Sequence, residues 1–197
     1  MDLISRIGQH FTDSAQAKLD AIEALAAPLA HAVELMVGAL VGNGKILACG
    51  NGGSAADAQH FAAELVGRFE TERQGLAAIA LTTDSSILTA VSNDYGYEAV
   101  FGRQVRALSQ PGDLLLAIST SGNSPSIVEA VRAAHDNELR VVALTGKGGG
   151  EVGRMLREAD VHLCVPSERT ARIQEIHLLV IHCLCAGIDD LLLGVEE

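Results

Sequence analysis

A three-layer α/β/α fold, with a five-stranded parallel sheet between two layers of helices, is predicted by three observations. From Lys45 onward, short apolar runs alternate with segments of helical character. Each run is apolar at nearly every position, as in a strand covered on both faces. The first run, Ile46-Leu47-Ala48-Cys49, opens directly into a glycine turn and an Ala-rich segment, in the stretch KILACGNGGSAADAQHFAAELVGRF from Lys45 to Phe69. A strand, a glycine turn and a helix N-terminus together make an anion site. Orphan N–H groups and the helix dipole both favour negative charge there, and glycine lets the backbone approach a ligand.

The elements follow in order. Residues 2–42 carry apolar side chains at helical spacing: Leu3, Ile7 and Phe11, then Leu19, Ile22 and Leu25, then Leu29, Val33, Met36 and Leu40. Pro28 predicts a division into two helices, because proline fits only near a helix start. The second helix should end at Gly42-Asn43-Gly44. Both precede the first strand and cannot be crossovers of the sheet, so residues 1–43 are expected to pack against another subunit. Strands are predicted at 45–49, 77–82, 113–118, 140–145 and 160–165, and helices at 54–68, about 85–92, 97–109, 125–137 and 150–157. The last helix, 170–194, is apolar almost all round, which implies burial in the core or against another subunit. No repeat or linker interrupts the chain, so residues 1–197 form one domain, with Gly146–Gly150 as a flexible loop.

The composition, 48% hydrophobic and 20% charged over 197 residues, suits a globular α/β domain. With no Trp, the core must be Leu, Ile, Val and Ala. A net charge of -11 argues against binding nucleic acid and leaves an anionic substrate to local dipoles and a few arginines. Cys49, Cys164, Cys183 and Cys185 lack zinc-ribbon spacing and read as reduced thiols. No uninterrupted apolar run approaches ~18 residues, so no membrane span is expected. The start MDLISRIGQH has no basic, apolar leader. A cytoplasmic protein is the expectation.

Ligands of open parallel sheets bind beyond the carboxyl ends of the strands. Two of those ends are rich in glycine or hydroxyls: Gly50-Asn51-Gly52-Gly53-Ser54 and Ser119-Thr120-Ser121-Gly122-Asn123-Ser124. Each precedes a helix, and the second reads as a cradle for a phosphate monoester. Gly50-x-Gly52-x-x-Ala55 fits a loose dinucleotide fingerprint, but the acidic residue expected ~20 positions later at the second strand's end is not there. Nor is there a P-loop. His60 and Glu64, spaced i, i+4, share one helix face and continue as a polar stripe with Asp57 and Arg68. This stripe leads away from the anion site. Gln174, His177 and His182 interrupt the apolar last helix, and two histidines within six residues there invite a functional reading.

The stretches CGNGGSAADAQHFAAEL, LTTDSSILTAVSNDYGYE, AISTSGNSPSIVEAV and RIQEIHLLVIHCLC resemble the phosphoheptose isomerases of the sugar isomerase (SIS) fold over nearly the whole chain. The resemblance implies conversion of sedoheptulose 7-phosphate to D-glycero-D-manno-heptose 7-phosphate, toward the heptose of lipopolysaccharide, by a homotetramer with active sites at its interfaces. It implies Glu64 and His182 as catalytic residues. It also implies substrate binding by Asn51, Gly52, Gly53, Glu64, Asn93, Asp94, Ser119, Thr120, Ser121, Ser124 and Gln174, and a zinc ion on His60, Glu64, Gln174 and His182. On one regular helix Gln174 and His182 stand ~12 Å apart along the axis, so their meeting at one ion requires an irregular helix start or two subunits. A related branch, a regulator that binds the replication initiator DnaA, shares FETER, RQVRAL and ARIQE. Retention of Glu64 and of Asn51-Gly52-Gly53-Ser54-Ala55 favours the enzyme.

Overall fold

The structure, a computed structural model, describes residues 2–194. Five strands, β1 (Ile46–Gly50), β2 (Ala78–Ala80), β3 (Leu114–Ser119), β4 (Arg140–Gly146) and β5 (Val161–Val165), form one parallel sheet in the order β2-β1-β3-β4-β5. All five predicted strands are present. β2, an edge strand paired only to β1, is shorter than expected, with three residues in place of six.

Seven helices cover the sheet: α1 (Leu3–Val41), α2 (Gly53–Val66), α3 (Ser85–Tyr95), α4 (Val100–Leu108), α5 (Pro125–Asp136), α6 (Gly150–Met155) and α7 (Thr170–Leu193). The alternation of side chains along the strands divides the core in two. Ile46, Ala48, Leu116, Ile118, Val142 and Leu163 pack beneath α1, α2 and α7. Leu47, Cys49, Leu115, Ala117, Val141 and Ala143 pack beneath α4, α5 and α6. Burial pushes the thiols of Cys49 and Cys185 up to about 12, and all four cysteines are free.

The two predicted N-terminal helices are one. Helix α1 runs 39 residues through Pro28. Its buried face, Ala21, Leu25, Ala32, Val33, Leu35, Met36 and Ala39, keeps helical spacing on both sides of the proline. Packing of that continuous stripe on α7 and β5 outweighs the ~3 kcal/mol cost of an interior proline. From Ala21 onward α1 therefore belongs to its own chain's core, which narrows the expected subunit contact to the preceding part. There Leu3, Ile4, Ile7, Phe11 and Leu19 are exposed, and Ile22 just beyond Ala21 is exposed with them.

A second expectation also needs amending. Helices α1 and α7 each contain an 18-residue window apolar enough to cross a membrane, with mean hydropathy 1.8 and 1.9. The few polar residues within them broke the apolar runs without lowering the average much. Both helices pack on the sheet, and α7 carries the buried Arg172, His177 and Asp189 as a core helix can.

Candidate active site

β1 and β3 are neighbours whose following segments leave toward opposite edges of the sheet, so the crevice between their carboxyl ends is the topological switch point. Both candidate turns open there. At the end of β1, Gly52 adopts φ 57, a left-handed conformation suited to glycine, and Gly53 begins α2. At the end of β3, Ser119 is buried while Thr120, Ser121 and Ser124 are half-buried. Ser124 is the N-cap of α5 and Pro125 occupies its first turn. The Ser124 hydroxyl makes no bond to its own helix and instead lies 3.2 Å from that of Ser119. Two hydroxyls facing each other at a helix N-terminus are placed for an anion's oxygens.

The second turn is braced from behind. Gly122 has φ 65, and a Cβ there would lie 1.8 Å from the Gly149 carbonyl oxygen. Val152 N–H donates to the Gly122 carbonyl at 2.8 Å, and Glu151 N–H to Asn123 Oδ1 at 2.9 Å. The Gly146–Gly150 segment, expected to be a flexible loop, thus backs the cradle and is itself one short turn entering α6.

One side chain joins the two turns. Asn51 Nδ2 donates to Ser126 Oγ at 2.9 Å, and the Tyr97 hydroxyl donates to Asn51 Oδ1 at 2.7 Å. Asn93 and Asp94 are exposed at the last turn of α3, with Asn93 Nδ2 donating to Asp94 Oδ1 at 2.8 Å. The segment that follows them carries Tyr97, the partner of Asn51. Ser126 lies inside the AISTSGNSPSIVEAV stretch, where no local pattern marks its hydroxyl as a partner of Asn51. Nothing in the spacing of Tyr97 marks it as a partner of Asn51.

Helices α2 and α7 lie side by side and present the remaining residues in two rungs. At the first rung Gln174 covers the glycine turn: a Cβ on Gly53 would sit 2.4 Å from Gln174 Nε2. At the second, two turns along, the His60 and His182 rings meet edge-on with centroids 5.2 Å apart, and the Phe69 ring centroid lies 5.7 Å from that of His182. His60 Nε2 is 2.9 Å from Glu64 Oε1, in position to donate to it. Glu64 and His182 are both half-buried, partly wet and partly shielded. Asp57, on the same face, has one carboxylate oxygen buried without a partner among the described residues. Burial raises its pKa, against the pull of nearby His60.

His177 is not part of this site. It is fully buried, with Nε2 3.0 Å from the Thr145 carbonyl oxygen, and burial pushes its pKa down to about 4. It is a neutral imidazole tying α7 to β4, so only His182 of the two α7 histidines faces the groove.

The two imidazoles and the carboxylate of His60, Glu64 and His182 are donor types that zinc accepts, and the groove brings these three near one another. Gln174 is not with them. α7 is one helix from Thr170 to Leu193, so Gln174 and His182, eight positions apart, are separated by ~12 Å along it and the four-residue set does not converge within one chain. Among the described residues no three His, Cys, Asp or Glu side chains stand close enough to hold an ion unaided. The donors fit zinc by chemistry and lack a ready-made cage.

Residues 10–146 match the SIS domain family. The chain is 70% identical over 197 residues to a phosphoheptose isomerase of Azoarcus sp. (strain BH72), and 68% identical over 196 residues to one of Dechloromonas aromatica (strain RCB), covering 100% of both chains in each case. Its fold matches the structure of phosphoheptose isomerase GmhA from Neisseria gonorrhoeae with TM-score 0.92 and 55% identity, covering 96% of this chain and 100% of that one.

Proposed function

The chain belongs to the phosphoheptose isomerase family of SIS-domain proteins, and on that footing we infer that it interconverts sedoheptulose 7-phosphate and D-glycero-D-manno-heptose 7-phosphate. The observation that carries the reading is the crevice itself. A hydroxyl cradle and a glycine turn, joined by Asn51 and Ser126, open at the switch point, and the Gln174 rung links them to the His60–Glu64–His182 groove.

Moving a carbonyl between C1 and C2 requires taking a proton from one carbon and delivering one to the other through an enediol. In this reading Ser119, Thr120, Ser121 and Ser124 hold the phosphate, with the α5 N-terminus behind them. Asn51, Gly52, Gly53 and Gln174 line the sugar's path, and Asn93 and Asp94 bind its hydroxyls. Glu64 is the base that carries the carbon-bound proton. Its half-buried position limits solvation of the carboxylate. His182, in contact with His60 and Phe69, exchanges protons with the sugar oxygens, a role that an imidazole's donor and acceptor nitrogens suit. Zinc, if held by His60, Glu64 and His182 of one chain with Gln174 supplied by a second subunit, would polarise the sugar carbonyl.

The reading extends to a cytoplasmic homotetramer that supplies heptose for lipopolysaccharide. What supports the assembly is the exposed apolar set on the first half of α1 and the half-open groove of Ala21, Leu25, Leu29, Ile176, Leu179 and Val180 beside it. A coupled assay with sedoheptulose 7-phosphate tests the function. Turnover supports the isomerase, with solvent deuterium appearing at C2 of the aldose if Glu64 acts through an enediol. Absence of turnover together with tight binding of DnaA would instead select the regulatory alternative.

A further inference from the structure

Arg73 lies outside both site helices, in the segment that leads from α2 to β2. Its side chain is nonetheless 3% exposed. A guanidinium offers five N–H donors in a fixed fork and accepts nothing, so each buried donor must find an oxygen. In this chain Nη2 donates to the Glu64 carbonyl at 2.9 Å, Nη1 donates to the Leu65 carbonyl at 2.9 Å, and Nε donates to Asp189 Oδ1. The first two acceptors are among the last carbonyls of α2, where no basic residue of the helix itself answers the negative end of the dipole.

The third bond crosses to α7. Asp189 is 7% exposed and its other carboxylate oxygen has no partner among the described residues, so Arg73 is the charge that balances it. Asp189 follows His182 by seven residues, close to two helical turns, and therefore shares its face of α7. On the α2 side, one of the capped carbonyls is that of Glu64 itself. One side chain thus grips the backbone of the residue assigned as base and the helix that carries the residue assigned as acid.

We propose that Arg73 and Asp189 are positioning residues for the isomerisation, a buried strap that fixes the α2–α7 register and so sets Glu64 and His60 against His182. The strap touches no substrate. Its effect falls on chemistry more than on binding, because the phosphate cradle sits on β3 and α5 and the strap grips the ends of α2 and α7 remote from Gly53 and Gln174. The inference rests on the proposed roles of Glu64 and His182.

The test separates position from stability. Removing one partner leaves a buried charge and destabilises the fold, whereas replacing both with apolar residues of similar volume commonly does not. The paired variant Arg73→Met/Asp189→Leu is therefore the primary one. Arg73→Lys is the second, since it keeps the charge for Asp189 but lacks the fork to reach both carbonyls. Each is assayed below its own unfolding transition, with kcat and KM for sedoheptulose 7-phosphate and binding of the unreactive heptitol 7-phosphate. Expected is a kcat loss of roughly 10- to 100-fold with KM and heptitol binding within about twofold, the scale of a small misplacement of reacting groups. A wild-type kcat in either folded variant overturns the proposal, as does a loss that appears only in KM. Glu64→Gln runs beside them. If it keeps turnover, the base assignment fails; if it is inactive while the strap variants are fully active, only the strap proposal fails.

Discussion

Glu64 and His182 have separate jobs in the proposed reaction, and single substitutions should separate them from the phosphate cradle. Glu64→Gln keeps size and hydrogen bonding but removes basicity. It should abolish kcat while leaving substrate binding near normal, measured by steady-state kinetics and by titration with heptitol 7-phosphate. Ser121→Ala removes a hydroxyl whose oxygen accepts from Asn123 N–H at 3.2 Å and whose proton is left to donate to the phosphate, and should weaken sugar-phosphate binding by about 1.5–3 kcal/mol with little change in melting temperature. Unchanged affinity in that variant would take the loop out of the site. His177 governs stability instead. Its pKa falls from 6.5 to about 4 on folding, so between those values the unfolded chain binds the extra proton and stability rises with pH. The contribution, about 3 kcal/mol, is complete above pH ~6.5 and lost as pH falls toward ~4. His162, also lowered by burial, acts in the same direction. Melting temperatures between pH 7 and 4 should therefore fall, and fall less in His177→Asn.

At the scale of elements, the strands and the six helices after α1 were legible because apolar runs of strand length alternate with helical spacing, and each strand end is marked by glycine or hydroxyl residues. What misled was Pro28. Its local preference argued for a break, yet the stripe from Ala21 to Ala39 continues across it, and packing along that stripe decided the outcome. An interior proline still forgoes a backbone hydrogen bond. Pro28→Ala should therefore raise the melting temperature by an amount equivalent to about 1–3 kcal/mol without altering turnover. A lower melting temperature would mean that the proline ring makes packing contacts that alanine cannot replace. The cradle gives a second case. Gly122→Ala should lower both stability and activity, because the new Cβ would collide with the Gly149 carbonyl and the backbone there is left-handed.

For the molecule as a whole, the two cores on the sheet's faces are closed, but the first half of α1 is not. Leu3 at 71%, Ile4 at 83% and Phe11 at 76% exposure are large apolar side chains on one projecting helix. A soluble single chain rarely carries such a stripe uncovered. Light scattering should show a stable oligomer at micromolar concentration, and Phe11→Glu with Ile4→Glu should shift it toward smaller species. A wild-type monomer at that concentration would remove the assembly from the proposal and leave α1 without a partner.

The sequence by itself determined the α/β/α class, the five strands and the two turns that meet at the switch point, because periodicity and turn chemistry are local and each is written in consecutive residues. It also held the family resemblance through Asn51-Gly52-Gly53, Ser119-Thr120-Ser121 and the His60–Glu64 pair. Only the tertiary structure decided which polar residues belong together. It set His177 into the core and His182 into the groove, placed Gln174 over Gly53 instead of beside His182, and brought Tyr97 to Asn51 and Arg73 to Asp189. These contacts join residues dozens of positions apart, or choose between faces of one helix. They depend on how α2 and α7 lie against each other and on the crossing of the chain between β1 and β3, which no local pattern encodes.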